Sequence, residues 1–326
     1  MRQDLPPDFE LTPWQQWMRN LDWSQSSIGP MSAWPLQLRQ MVLLITQDPQ
    51  PAAVYWGDRH IHVYNEAYTH LLGGKHPSLQ GHDPHVILDK VWGEFDTILT
   101  ECKITGQAHV GDGHMLLYTR NGFLEETYYS WKFVPILGED GTVVAFHGSV
   151  NEVTRDVLGG RRTSSIRGLR QTLAKAENLR SFWSLLLEGL QSNPKDLPMV
   201  MAYSANQLGN TMNSDEFVLE GALGVPLDHP AAPAVVTLKN GSGGFTAAMR
   251  SALSFREPML LDATDMIFES GLFEGIEWRG FQVPSNQILV CPIRSMADDI
   301  VGFLIIGKAC SSLRNIVADM ENRSES

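Results

Sequence analysis

The sequence predicts an α+β chain of two antiparallel sheets with flanking helices, joined by a helical segment. Three observations predict it. At Ala52 the hydrophobic period changes to two: Ala53 and Tyr55 alternate with Val54 and Trp56, and the pattern resumes at Ile61 and Val63 after a Gly57-Asp58 turn. Three further runs, Met115 to Thr119, Glu126 to Ile136 and Thr142 to Asn151, are separated by Asn121-Gly122 and by Gly138-Glu139-Asp140-Gly141, both strong turn signals. After Pro194 a second set of strand and helix patterns begins. The 326 residues fit two cores, since a single core rarely grows past roughly 250 to 300 residues.

Taken in order, residues 1–35 are rich in Trp and Pro, with Trp14, Trp17, Trp23, Trp34, Pro30 and Pro35. A helix follows, in which Leu36, Leu38, Met41, Val42 and Ile45 recur near helical spacing and Pro35 suits the first turn. After the 52–63 hairpin, Asn65 is placed to cap a short helix that ends at Gly73-Gly74. A second helix is expected from about Val91 to Thr105, where Trp92, Phe95, Leu99 and Cys102 recur at steps of three and four. With the three-strand meander this order makes a five-stranded antiparallel sheet with helices on one face. From Arg155 to Leu190 the pattern is helical again. Ile166, Leu169, Leu173, Ala176, Trp183, Leu187 and Leu190 form its seam, with Arg180 the one polar intruder. Such a helix either pairs with its twin or packs on its own domains. Beyond it the patterns predict strands at Pro198 to Ser204, Glu216 to Ala222 and Pro258 to Asp262, a helix around Gly244 to Leu253, and a closing hairpin of Ile288 to Ile293 and Val301 to Ile306.

The segments IGPMSAWPLQLR (Ile28 to Arg39), YWGDRHIHVYNEAY (Tyr55 to Tyr68), LGGKHPSLQG (Leu72 to Gly81) and RNGFLEETYYSWKFVPILGEDGTVVAFHGSVNEVT (Arg120 to Thr154) resemble a PAS domain, of the divergent kind at the front of soluble bacterial and fungal sensor histidine kinases. GALGVPLDHPAAP (Gly221 to Pro233), FREPMLLDA (Phe255 to Ala263) and ILVCPIRSMADDIVGFLIIG (Ile288 to Gly307) resemble the GAF domain that follows it in those sensors. The resemblance implies a Trp/Pro-rich segment over 1–35, a PAS-like domain over 36–155, a signalling linker over 156–192, an incomplete GAF-like domain over 193–308 and an atypical polar tail over 309–326. It is lost after Gly307, where the family continues towards a kinase. A histidine kinase needs a phosphoacceptor His in a helical hairpin and an ATP-binding domain, and no His follows His229. The expectation is therefore a non-catalytic sensory module of the two-component, phosphorelay type. The alternative is a truncated product of a hybrid sensor histidine kinase gene, the parent being an ATP-dependent phosphorelay kinase.

Other chemistries find little footing in the residues. A net charge of −12 argues against a surface that tracks nucleic-acid phosphates. The basic cluster Arg161, Arg162, Arg167 and Arg170 reads as a solvated helix face. Cys102, Cys291 and Cys310 have no paired spacing, which fits a reducing cytoplasm and signals neither disulfides nor zinc. Cys102 lies on an apolar stripe and reads as core, outside any flavin-binding context. The apolar runs Met41 to Ile45 and Ile300 to Ile306 fall short of the roughly 18 to 20 residues of a membrane span, and no secretory pattern opens the chain. The Asn240 to Phe245 stretch lacks the Gly-Lys-Ser/Thr ending of a phosphate loop and reads as a loop before a helix. No Gly-x-Ser-x-Gly nucleophile elbow is present.

The pairs His60/His62, on one strand face, and His82/His85 have metal-compatible spacing but no supporting ligands, with His82 or His85 the candidates for haem. What remains is a pocket: Tyr68, Trp92, Phe95, Tyr129, Trp131 and Phe133 face one another in a PAS fold, around a small ligand or simply as core. No catalytic residue, metal or cofactor is expected. The expected partners are a small molecule in that pocket, a second copy through the 156–192 helix, or a signalling protein, and neither nucleic acid nor a membrane. The Ile300 to Ile306 strand, without a following helix, is expected to leave apolar surface unsheltered.

Overall fold

Thr12 starts the first helix of the computed structural model, α1 (Pro13–Asn20), by a reciprocal cap: its hydroxyl accepts from Gln15 N at 3.2 Å and the Gln15 side chain accepts from Thr12 N at 3.1 Å. The structure describes residues 11–308, apart from 89, 121–122, 209–210, 242, 264–267 and 269–270. It divides into two units, Met1–Val157 and Leu158–Ser326.

In the first unit the Trp/Pro-rich segment is part of the core. Trp14, Met18, Trp23 and Trp34 are buried in it, and two of the indoles are satisfied by backbone, Trp23 Nε1 on Met18 O at 2.8 Å and Trp34 Nε1 on Gly29 O at 2.9 Å. Helix α2 (Leu36–Gln47) buries Leu38, Val42 and Ile45, one stripe of a helical period. Leu36, expected on that stripe, is 59% exposed. Strands β1 (Ala52–Trp56) and β2 (Ile61–Tyr64) form the expected hairpin, with Tyr55 opposite His62. Ala52, Ala53, Val54 and Tyr55 are all buried, so both faces of this hairpin are covered, and α2 packs against both strands.

Asn65 does more than cap a helix. Its Oδ1 accepts from Ala52 N and from Tyr68 N, each at 3.1 Å, and its Nδ2 lies 3.1, 3.0 and 2.7 Å from the carbonyl oxygens of Ile45, Asp48 and Gln50. The turn it caps spans 66–68, and the helix proper, α3 (Thr69–Leu72), begins after it. Helices α4 (Pro84–Ile87) and α5 (Lys90–Thr105) follow, then β3 (His109–Arg120), β4 (Phe123–Leu137) and β5 (Val143–Glu152). The five strands form one antiparallel sheet in the order β2-β1-β5-β4-β3. Strand β3 starts at His109, well before the alternation predicts: His109, Val110 and Gly111 pair with Phe133, Lys132 and Trp131, and Gly111 leaves room for the Trp131 ring, where a Cβ would clash.

The stretch read as one linker helix is two, α6 (Thr154–Leu173) and α7 (Leu179–Gln191), separated at 174–178. A capping box at Asn178 and Ser181 starts the second. Strands β6 (Met199–Leu208), β7 (Thr211–Leu223) and β8 (Val235–Thr237), helix α8 (Thr246–Phe255), and strands β9 (Met259–Asp262), β10 (Gln287–Arg294) and β11 (Ile300–Lys308) complete the second unit. The six strands take the order β8-β7-β6-β11-β10-β9. Alternate residues of β6 go to two cores: Met199, Met201 and Tyr203 to the one that holds α8, and Val200 and Ala202 to the one that holds Trp183, Leu186 and Leu190 of α7.

Two expectations are corrected here. Strand β11 is hydrogen-bonded on both sides, to β6 and to β10, and Val301 to Ile305 are buried, so the expected unsheltered strand is an interior one. The arginine cluster is not wholly a solvated face, since Arg161 forms a fork on Asp196 that holds this carboxyl below its usual range against the cost of burial. The tail from residue 309, with Cys310, lies outside the described residues.

Replacing Asn65 by Ala leaves the Ala52 amide without its buried acceptor and the Tyr68 amide with only its longer bond to the carbonyl of residue 65, at 3.3 Å. The expected loss is about 3 kcal/mol of stability in the first unit. Urea unfolding followed by hydrogen exchange of the β1 amides checks this, with protection falling at Ala52 before it falls in the second unit.

Candidate functional site

A cavity of about 60 Å³ lies in the first unit between the sheet and the helices. The sheet side is made by Tyr55 of β1, Leu116 of β3, Tyr129 and Phe133 of β4 and Val150 of β5. Across it stand Tyr68, Leu71 and Leu72 around α3, with Leu88 and the α5 residues Trp92 and Phe95. Tyr68, Trp92, Phe95, Tyr129 and Phe133 are thus brought together. Trp131 is not part of the lining; its ring packs on Phe95 and Phe133. Sequence reasoning missed Tyr55, Val150 and the leucines, although the register of the 52–64 hairpin was enough to pair Tyr55 with a histidine.

That histidine lies behind the cavity wall, packed against the lining residues Tyr55, Trp92 and Tyr68 but not itself part of the lining. His62 is fully buried among Tyr55, Trp92 and Tyr68, with ring centroids at 4.4, 4.9 and 6.3 Å. Its Nδ1 is 3.3 Å from the carbonyl of His60, a geometry that places the proton on Nδ1 and leaves Nε2 a bare acceptor. Among the described residues Nε2 has no hydrogen-bond partner, and neither has Trp92 Nε1 nearby. Burial pushes the His62 imidazolium down to about 3, so the ring is neutral at physiological pH. The hydroxyls of Tyr55 and Tyr68 lie 3.4 Å apart, and burial raises the Tyr55 phenol well above its usual range. None of the described residues that line this space is charged; a volume near two waters' share of about 30 Å³ each is far below the roughly 300 to 1,000 Å³ of drug-sized sites.

The other histidines likewise stand outside the cavity lining. His60, at the turn with φ 51°, and His85 each approach Asp96 Oδ1 at 3.4 Å, and His85 Nδ1 lies 2.9 Å from Asp83, which Arg59 also holds at 2.8 Å. His82 is exposed, with Nδ1 2.9 Å from Gln80 O. Neither His82 nor His85 borders the cavity. Among the described residues no group of three or more His, Cys, Asp or Glu is placed to hold a metal ion. Cys102 is buried on α5 and Cys291 is partly buried; burial raises both thiols, the second to about 11, which leaves them protonated and poor nucleophiles. Among the described residues no helix is long and apolar enough to cross a membrane.

No family model matches the sequence, and no curated protein matches it. Among solved structures it is similar to the GAF domain of a phosphoenolpyruvate-protein phosphotransferase from Coxiella burnetii, at 17% identity over 45% of this chain and 77% of that one, TM-score 0.33. It is also similar to the PAS domain of BvgS from Bordetella pertussis, at 19% identity over 40% of this chain and 96% of that one, TM-score 0.31. A third is the nlh2 GAF domain of A. aeolicus, at 11% identity over 50% and 89%, TM-score 0.36. The chain is an α+β protein of two antiparallel sheets with flanking helices.

The unfolded chain protonates His62 near pH 6.5, the folded one only near about 3, so between those values unfolding takes up a proton. Stability of the first unit therefore falls as pH drops below about 6.5, with this residue contributing about 1.4 kcal/mol per pH unit. Urea unfolding across that range is expected to show His62→Phe with a slope shallower by one proton than the wild type.

Proposed function

We propose that this chain is a non-catalytic PAS–GAF sensory module: the first unit receives a small ligand or a protein partner, and the junction of β5 with α6 relays the change. One observation carries this reading. Val150 stands in the cavity wall, β5 ends at Glu152, and α6 begins at Thr154. The junction is tied to the neighbouring strand beside another wall residue, Tyr129: Val153 N donates to Tyr128 O at 2.8 Å, and Thr154 Oγ1 accepts from Tyr128 N at 2.9 Å. The same hydroxyl donates to Glu152 Oε1 at 2.8 Å. A change in how Tyr129 and Val150 pack therefore reaches the first turn of a twenty-residue helix through hydrogen bonds rather than through a loop.

A ligand of more than a few atoms must repack these side chains to enter, which is the differential interaction that a two-state relay requires. The same repacking of Tyr55, Tyr68 and Trp92 would bring such a ligand to the His62 Nε2 acceptor behind them and to the Trp92 indole donor. Association of two chains through 156–192 falls to the exposed side of α6, where Ile166 is 53% exposed, because Trp183, Leu186 and Leu190 are packed against their own sheet. A cytoplasmic, two-component setting, and a parent phosphorelay kinase, rest on the sequence resemblance; a phosphoacceptor-His helix encoded downstream in the gene is the observation that tests the parent.

Native mass spectrometry of the chain from its own source reads ligand and oligomer together, and the proposal expects a bound mass that denaturation releases, or a second copy. A bare monomer contradicts it. In Thr154→Val, the Tyr128 amide and the first turn of α6 are expected to exchange faster, with about 1 kcal/mol lost locally; unchanged exchange there removes the relay.

A further inference from the structure

We propose that the second unit carries a separate binding site for a small zwitterion of the α-amino acid class, in the groove where α7 begins against β6 and β7. The groove has a volume of about 360 Å³, within the roughly 300 to 1,000 Å³ range of small-molecule sites and well above the first unit's cavity. Its walls include Arg180, Trp183, Ser204, Asn206, Val218 and Glu220. Arg180 is the one polar residue that breaks the apolar seam of this helical stretch, and the structure gives the break a place.

The two charges of the groove are not used by each other. Arg180 has no hydrogen-bond or ion-pair partner among the described residues, and Glu220 is held only by the Ser204 hydroxyl, at 2.6 Å. The Asn206 side chain, also without a partner among the described residues, joins the lining at a slip in the β6–β7 register between Ala205 and Asn206. Such irregularities re-aim side chains at sites. The floor holds Trp183, 1% exposed, whose Nε1 has no hydrogen-bond partner among the described residues, although a buried indole N–H ordinarily has one.

Charge selects the occupant. A simple anion meets Arg180 and the first turn of α7, where a helix start favours negative charge, but also meets Glu220. A simple cation meets the reverse conflict. A molecule with a carboxylate and an ammonium a few ångströms apart satisfies both walls, takes donor and acceptor from Asn206, and lays an apolar side chain on Trp183 and Val218. The site uses nothing from the cavity in the first unit.

Titration calorimetry of the full chain tests this with L-leucine, L-methionine and L-phenylalanine, and with two single-charge counterparts of leucine, 3-methylbutylamine and 4-methylpentanoate. Binding of at least one amino acid is expected, with about tenfold or greater loss for each counterpart. Arg180→Gln and Glu220→Gln, both at exposed positions and so compatible with folding, are each expected to weaken binding about tenfold. The cavity variant His62→Phe is expected to leave it unchanged. No heat from any of the three amino acids at about 10 mM, equal binding of a single-charge counterpart, or affinity indifferent to both groove substitutions overturns the proposal.

Discussion

One buried amide, that of Asn65, holds the first unit's helices and sheet in register. A carboxamide supplies two acceptor lone pairs and two N–H donors, and the five contacts made here use all of them, with one donor shared. They fix the end of α2, the loop before β1, the first amide of β1 and the turn that delivers Tyr68 to the cavity. An aspartate has no donors for the three carbonyls, and an apolar residue answers none of the five groups. The position of the cavity's helical wall therefore depends on a polar residue whose side chain never reaches the cavity.

The two units offer different kinds of space. In the first, aromatic rings close on a small apolar volume, with a neutral histidine buried behind them, so entry of anything sizeable must move side chains. Because β5 carries a wall residue straight into α6, those side-chain movements have an outlet along the chain. In the second, the groove is already open, mainly polar and carries both signs of charge. A rearranging cavity suits a switch, whereas a preformed groove suits occupancy that tracks concentration.

Much of the fold was legible in local pattern. Period-two alternation broken by Gly57-Asp58 located the first hairpin, and the 138–141 turn appears with Gly138 N on Thr142 O at 2.7 Å and Gly141 at φ 80°. What local pattern could not carry is long-range pairing. The unbroken apolar run of Ile300 to Ile306 suits a strand buried on both faces, but nothing in it names β6 and β10 as the neighbours between which it inserts. The break between α6 and α7 had a signal in Asn178 and Ser181, overridden by an apolar spacing that runs through it. At the site, residue types identified most of the cavity's aromatics, but Trp131 turns to fill the space left by Gly111, and the burial of His62 follows from helices packed over β2 rather than from its neighbours in sequence.

Coupling between the cavity and α6 is the claim on which the sensory reading stands, and xenon, which enters small apolar cavities, probes it without presuming a ligand. The amide spectrum of the full chain under xenon pressure is predicted to shift at Val150 and, beyond the cavity wall, at Val153, Thr154 and the first turn of α6. Shifts confined to the wall residues, with α6 unmoved, would contradict it.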